Sequence, residues 1–287
     1  MQHKTIELGG QRSLHVAQAG QGADLILLHG ALGTHQDWLI GPFHRLAEDF
    51  RVTAVDRPGH GKSRRPRFEG TPRDQAAQIA AAMAELGIER ATVVGHSIGG
   101  LVALAMAERF PKFVSSLVLI APLCFPEPRP LEHLLMAPRA LPIGGPVFSQ
   151  FAKATFDPLV LKMVQRLMFA PQPVPDDWEE RYPYEDILRS DVMVAEGEET
   201  AAVMPMSPAG TIDIGAIRAP ATILTGTSDK VVNPRIHARP LAAMMKGSRL
   251  IELDGIGHMA HHVAADEVVQ AIREGAARAL EPQSSAR

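Results

Sequence analysis

The sequence predicts an α/β protein: a doubly wound, mostly parallel sheet interrupted by one helical insertion. Three observations predict it. Short runs that are apolar through their middle recur along the chain, as strands covered on both faces require. Helical periodicities separate these runs, so consecutive strands are joined by crossovers and lie parallel. Between residues 122 and 210 the alternation stops, in a stretch that holds 14 of the 23 prolines and 6 of the 12 methionines and offers no convincing strand.

In chain order, Thr5–Leu8 and Arg12–Ala19 flank Gly9-Gly10 and read as a hairpin. The interior strands are Asp24–His29, Arg51–Asp56, Ala91–Gly95, Ser115–Ile120, Ala221–Thr225 and Arg249–Leu253. Asp74–Leu86 is a helix with Ile79, Met83 and Leu86 on one stripe, and Ile98–Arg109 is a second, spacing Leu101, Leu104 and Ala105 and stopping near Phe110-Pro111. Pro234–Met245 and His261–Leu280 fit the same pattern. The proline-rich insertion reads as short helices joined by turns, its Pro171–Pro175 stretch as a stiff connector, and its Glu196, Glu198 and Glu199 as a solvated helix face. The tail beyond Leu280 is expected to fray.

With 287 residues, 46% of them hydrophobic and 21% charged, the chain suits one large domain or a core with an insertion, and wholesale disorder is excluded. A net charge of −3 gives no nucleic-acid footprint. Cys124 alone excludes an internal disulfide and a multi-cysteine metal cage. The first residues lack the apolar stretch of a signal peptide, and the run Ala91–Ala107 is broken by His96, Ser97 and glycines, so no membrane association is expected. The expectation is a soluble protein of a reducing compartment, the cytoplasm.

Chemistry concentrates in the loops that follow the strands. Gly95-His96-Ser97-Ile98-Gly99 matches G-x-S-x-G, and it lies between a strand and a helix, the context of a nucleophile elbow. Side chains at 95 and 99 would collide in so tight a turn, and Gly100 lets the helix approach the next strand. A serine hydroxyl needs a base, and the base an orienting acid. Asp229, after Ala221–Thr225, and His258, after Arg249–Leu253, supply both on the same sheet edge as Ser97. The other place for an acid, after Ser115–Ile120, has no carboxylate before Glu127. Asp229 also suits a turn-capping role. The amide of Ile98 offers one oxyanion donor, and the loop His29-Gly30-Ala31-Leu32-Gly33 a second, at Ala31 with Leu32 as the alternative.

His258, His261 and His262 form HxxHH, but no second cluster of ligands stands near it in the sequence, so no metal is expected and His261 and His262 read as packing residues. His29 and His60 read as structural hydrogen-bonding groups. Gly61-Lys62-Ser63 imitates the end of a phosphate-binding loop, yet the position that must be glycine is Asp56, and nucleotide binding is unsupported.

In motif order HGALG, DRPGHGKS, GHSIGG, GTSDKVVNP and GIGH, the chain resembles the α/β-hydrolase superfamily over nearly its whole length. The resemblance implies an eight-stranded, mostly parallel sheet, with core residues 1–121 and 211–287, a helical cap at 122–210, and Ser97, Asp229 and His258 beneath that cap. Serine at 97 disfavours the haloalkane dehalogenases and epoxide hydrolases of that fold, which use aspartate. Carboxylesterases, lactonases, thioesterases, serine haloperoxidases and carbon–carbon hydrolases of ring-fission products remain. Acyl transfer by such a triad requires no cofactor.

The insertion's Phe125, Phe148, Phe151, Phe156, Phe169, Met136, Met163 and Met168 point to a small substrate with a hydrophobic acyl or aryl group. Arg129, Arg139, Arg166 or Arg189 would have to bind the carboxylate of a ring-fission substrate. The leading expectation is a serine hydrolase of esters. The alternatives are carbon–carbon hydrolysis with the same triad, and a non-catalytic small-ligand binder on this fold.

Overall fold

The computed structural model describes residues 1–203 and 212–280, so the end of the expected insertion and the 281–287 tail lie outside the described residues. Eight strands form one sheet among the described residues: β1 (Gln2–Gly9), β2 (Arg12–Ala19), β3 (Ala23–Leu28), β4 (Phe50–Val55), β5 (Ala91–His96), β6 (Val114–Ile120), β7 (Ala221–Gly226) and β8 (Arg249–Leu253). Their order is β1-β2-β4-β3-β5-β6-β7-β8. The β1–β2 and β2–β4 pairings are antiparallel, and every pairing from β4 across to β8 is parallel. The carboxyl ends of β3, β5, β6, β7 and β8 therefore open onto one edge.

Alternation along the central strands divides the core in two. Ile26, Leu28, Val93, Leu117 and Leu119 face the helices Pro72–Glu85, Ile98–Arg109 and Ala238–Met244. Leu25, Leu27, Val94, Val118 and Ile120 face Trp38, Phe43, Leu46 and the helix Ala265–Ala277. The helix Ile98–Arg109 is enclosed all round, buried from Ile98 through Ala107, which its glycines and alanines permit by letting neighbours close in.

Element limits differ from the periodicity reading for local reasons. The first long helix starts at Pro72 because Thr71 and Asp74 form a reciprocal capping box. Pro234–Met245 shortens to Ala238–Met244, since the Asn233 side chain accepts from the Arg235 amide and holds the preceding turn. The expected helix His261–Leu280 breaks at Ala264 (φ −135°, ψ 48°) into Ala260–Val263 and Ala265–Ala277, followed by the 3-10 turn Arg278–Leu280.

Between β6 and β7 the described residues are helical: Pro130–Met136, Gly144–Ala154, Asp157–Phe169, Trp178–Arg181, Tyr184–Ile187 and Ser190–Val203. Phe169, Trp178, Tyr182, Ile187 and Met193 form a core that also takes in Met259 from beyond β8, with Leu32 packed against it. Arg139, fully buried, pairs with Asp157 at 2.6 Å.

The acidic run is a correction: Glu196, Glu198 and Glu199 are buried, not solvated. Glu199 takes both terminal nitrogens of Arg57 and the amide of Gln75, and Glu198 takes Arg65 and Arg67. The helix Ser190–Val203 sets Glu198 and Glu199 against arginines of the segment after β4, so these two carboxylates enter the interior already paired. No helix among the described residues is long and apolar enough to cross a membrane.

Candidate active site

At the end of β5 the chain turns sharply through Ser97 (φ 55°, ψ −122°) into the helix that begins at Ile98. The glycines make this possible. A Cβ at Gly95 would strike the Gly99 carbonyl group, one at Gly99 would strike the carbonyl oxygens of Leu28 and His29, and one at Gly100 would sit 2.9 Å from Pro122 Cβ. So strained a serine persists only where its surroundings over-determine it.

Asp229 and His258 meet beyond the ends of β7 and β8, two and three strands over from β5. His258 Nδ1 lies 2.8 Å from Asp229 Oδ2, with both side chains buried. Asp229 also caps its own turn, because Oδ1 accepts the amides of Val231 and Val232 at 2.8 and 2.9 Å. The turn and the pairing are thus served by different oxygens of one carboxylate. Burial works against its charge, but His258 and the two amides outweigh burial and hold the pKa below the ordinary aspartate value. Ser97 and His258 line the same cavity, although no hydrogen bond joins Ser97 Oγ to the imidazole among the described residues.

The first loop separates its two candidate donors. Leu32 N donates to Glu196 at 2.6 Å and Leu32 O accepts from the Tyr182 hydroxyl, in a residue with φ 52°. Leu32 is therefore engaged from both sides by the insertion. The amides of Ala31 and Ile98 have no acceptor among the described residues, and both residues line the cavity.

That cavity holds about 370 Å³. Of the eight insertion residues singled out by sequence, Phe125, Met136 and Met168 line it; Phe148, Phe151, Phe156, Phe169 and Met163 do not. Leu131, Val164 and Leu167 add apolar wall, while Glu196, Glu199 and Thr200 add polar wall. Among the four arginines only Arg129 reaches the cavity, and its guanidinium is matched by Glu127 and Glu132. Arg139 is buried against Asp157, and Arg189 pairs with Asp191. A larger cleft of about 890 Å³, lined by Lys62, Arg64, Arg65 and Arg67, includes neither Ser97 nor His258.

The histidines behind the site are more connected than their spacing suggests. His96 Nε2 donates to the His258 carbonyl at 3.2 Å, and burial followed by the neighbouring His261 and His258 pushes its pKa well down, so the ring is neutral. His261 and His262, which lack an acidic partner in the sequence around them, share Asp37 at 3.0 and 2.8 Å. His29 and His60 are buried in the strand-end loops, where His29 Nε2 accepts the Arg57 amide. Glu196, Tyr182 and His96 are the contributions that sequence reasoning missed: the first two lie in a helical segment with no motif, and His96 occupies the free position of the pentapeptide.

Parallel strands feeding an elbow serine, an aspartate and a histidine at one edge define a class, and the chain belongs to it: the alpha/beta hydrolase fold family, whose profile matches residues 25–265. Within that family, the chain is 28% identical over 282 residues to an uncharacterized protein of Mycobacterium tuberculosis, covering 91% of this chain and 76% of that one. An esterase from Exiguobacterium antarcticum superposes with a TM-score of 0.79 at 19% identity, over 95% of this chain and 98% of the other. A bromoperoxidase from Bacillus anthracis gives 0.78 at 17% identity, over 95% and 99%. At such identities the structural likeness is one of fold.

Proposed function

We propose that the protein is a serine hydrolase that cleaves a carboxylic ester, or a related acyl bond, of a small hydrophobic molecule through an acyl-enzyme. The observation that carries this reading is the buried 2.8 Å contact of His258 Nδ1 with Asp229 Oδ2 on the wall of a cavity that also exposes the elbow serine. Ser97 Oγ attacks the carbonyl carbon, and His258 takes the hydroxyl proton and delivers it to the leaving oxygen. Asp229 holds the tautomer with its proton on Nδ1 and stabilises the imidazolium. Water then attacks the acyl-enzyme with His258 as base, and the acid leaves Ser97 regenerated. The free amides of Ala31 and Ile98 supply the oxyanion donors, the latter at the positive end of a 12-residue helix.

The described part of the insertion acts as the cap over this site, and the apolar wall from Phe125, Met136, Met168 and Leu131 selects a hydrophobic acyl or aryl group. Carbon–carbon hydrolysis of a ring-fission product is the weaker reading, because the cavity's one singled-out arginine is already matched by Glu127 and Glu132, and Glu196 and Glu199 also line the wall. A lone, buried cysteine fits a reducing compartment such as the cytoplasm.

The test is a fluorophosphonate probe applied to the folded protein, with a panel of p-nitrophenyl esters, thioesters and a ring-fission dienoate. Labelling at Ser97 with highest kcat/KM on an ester is expected. Absence of labelling would favour a ligand-binding role, and a dienoate preference of several orders of magnitude would reverse the substrate assignment.

A further inference from the structure

Six of the twelve histidines fall in three clusters, among the described residues, whose ring nitrogens or carboxylates lie close enough together to hold a metal: His3–His15–His35, Asp37–His261–His262 and His60–Glu196–Glu199. Hydrogen bonding separates them. In the second cluster Asp37 accepts both imidazoles, so its donor atoms satisfy one another. In the third, Glu199 is committed to Arg57 and Gln75, and Glu196 to the Leu32 amide. The first cluster is different. It contains no carboxylate, and the Nε2 atoms of both His15 and His35 are buried without any partner. Two orphaned imidazole nitrogens in one place is a costly arrangement unless something occupies the space between them.

Strand register builds the cluster. Across the β1–β2 hairpin His3 faces Ala17 and Thr5 faces His15, so His3 and His15 are diagonal neighbours on one face. His35, the first residue of the helix His35–Leu39, meets them there, with ring centroids 5.5 Å from His3 and 5.1 Å from His15. The His35 tautomer is set from outside. His35 Nδ1 lies 2.8 Å from Asp56 Oδ1, which leaves Nε2 with its lone pair free, and His15 Nδ1 lies 3.2 Å from the Thr5 hydroxyl. A carboxylate behind a ligating imidazole is the usual second shell of a transition-metal site. His3 is exposed and gives the approach from solvent.

We propose that His3, His15 and His35 form a site for a divalent transition-metal ion of the zinc type, remote from the proposed catalytic serine. One ring nitrogen from each residue lies within 4.8 Å of the others, and tetrahedral Zn²⁺ would draw them to about 3.3 Å, within reach of a rotation of the exposed His3 ring. Three imidazoles leave a fourth position for water. Their softness suits Zn²⁺ or Co²⁺ over Mg²⁺ or Ca²⁺. Bound metal would tie the edge strand β1, whose only neighbour in the sheet is β2, to the helix start beneath it.

The experiment uses the full chain without any affinity tag, stripped with chelator and titrated with Zn²⁺ by calorimetry and with Co²⁺ by visible absorption. One equivalent should bind with a Kd below about 10 μM, give the intense d–d bands of tetrahedral Co²⁺, and raise Tm by several degrees. His3→Ala, a surface change, should weaken binding at least about tenfold without altering ester hydrolysis. His15→Asn, read by the same Co²⁺ bands, should abolish the tetrahedral spectrum. Failure to bind Zn²⁺ at 100 μM overturns the proposal. So does binding that survives both substitutions and is lost in His262→Ala, which would move the site to Asp37.

Discussion

Two buried ionic constellations lie on the carboxyl edge of the sheet, and they do different things with the same chemistry. His258–Asp229 is built from adjacent strand-end loops, and its imidazole lies on a cavity wall. Arg57–Glu199 joins the segment after β4 to the helix Ser190–Val203 across 142 residues of sequence, and Arg57 has every nitrogen engaged, by Glu199, Gln75, His29 O and Gly30 O. The first pair leaves one imidazole nitrogen, Nε2, as a spare acceptor, and its only other duty is the turn that Asp229 Oδ1 caps. The second has no free valence and fixes where the insertion sits. A buried charge with an open position is a working group, whereas one with all its positions filled is a fastening.

The largest effect should come from breaking the working group. Ser97→Ala should lower kcat by about a thousandfold or more, about 4 kcal/mol of transition-state stabilisation, while unfolding free energy changes by less than about 1 kcal/mol. Near-normal turnover in that variant would remove the nucleophile assignment.

The fastening should show the reverse pattern. Glu199→Gln leaves Arg57 buried without its counter-charge, and breaking such a pair costs about 3–5 kcal/mol of stability. Urea unfolding should register that loss, and the double replacement Arg57→Met with Glu199→Leu should recover most of it, because neither charge is then stranded. If the double variant is as unstable as the single, the pair is not acting as an isolated electrostatic unit.

The difference between the constellations also explains what could be read from the chain. Ser97, Asp229 and His258 each answer a local demand: glycines at a tight turn, and a carboxylate and an imidazole directly after strands. The six interior strands are legible because each is short and apolar in its middle, and the first two because they flank the Gly9-Gly10 turn. The fastenings depend on partners far apart in sequence, and a glutamate carries no local mark of the arginine it will meet. For that reason Glu196, Glu198 and Glu199 read as a wet face, and HxxHH read as unpartnered when Asp37 stands 225 residues before His262. The difference between Ala31 and Leu32 is hidden for the same cause, since the Leu32 amide is taken up by Glu196, 164 residues on. Ala264 breaks the last helix with neither glycine nor proline to announce it.

A third expectation uses acid to probe the histidine layer behind the site. Burial, followed by His262, lowers His261 to about 4, against an ordinary 6.5. Between those values the unfolded chain binds the proton and the folded one does not, so stability falls as pH drops from 6.5 towards 4. The full shift corresponds to about 3 kcal/mol, and His96 and His29, also lowered by burial, act with the same sign. His261→Gln, which can still donate to Asp37, should flatten the urea midpoint against pH in that window. An unchanged slope would show that His261 takes no part in it.

The smallest and sharpest test falls where the two constellations touch. Glu196 lies three residues from Glu199 on the same helix, and its carboxylate accepts the Leu32 amide while Tyr182 holds the Leu32 carbonyl. If Ala31 donates to the oxyanion, Glu196 acts as a positioning residue through the neighbouring peptide. The Ile98 donor needs no such help, because its helix fixes it. Glu196→Ala frees the Leu32 peptide and should cut kcat about tenfold with KM little changed, since the oxyanion exists only after attack. Glu196→Gln keeps a carbonyl acceptor in place and should restore most of that activity. A loss of equal size in both variants would mean that the negative charge, and not the hold on Leu32, is what the site requires. An effect on KM alone would make Glu196 part of the substrate wall.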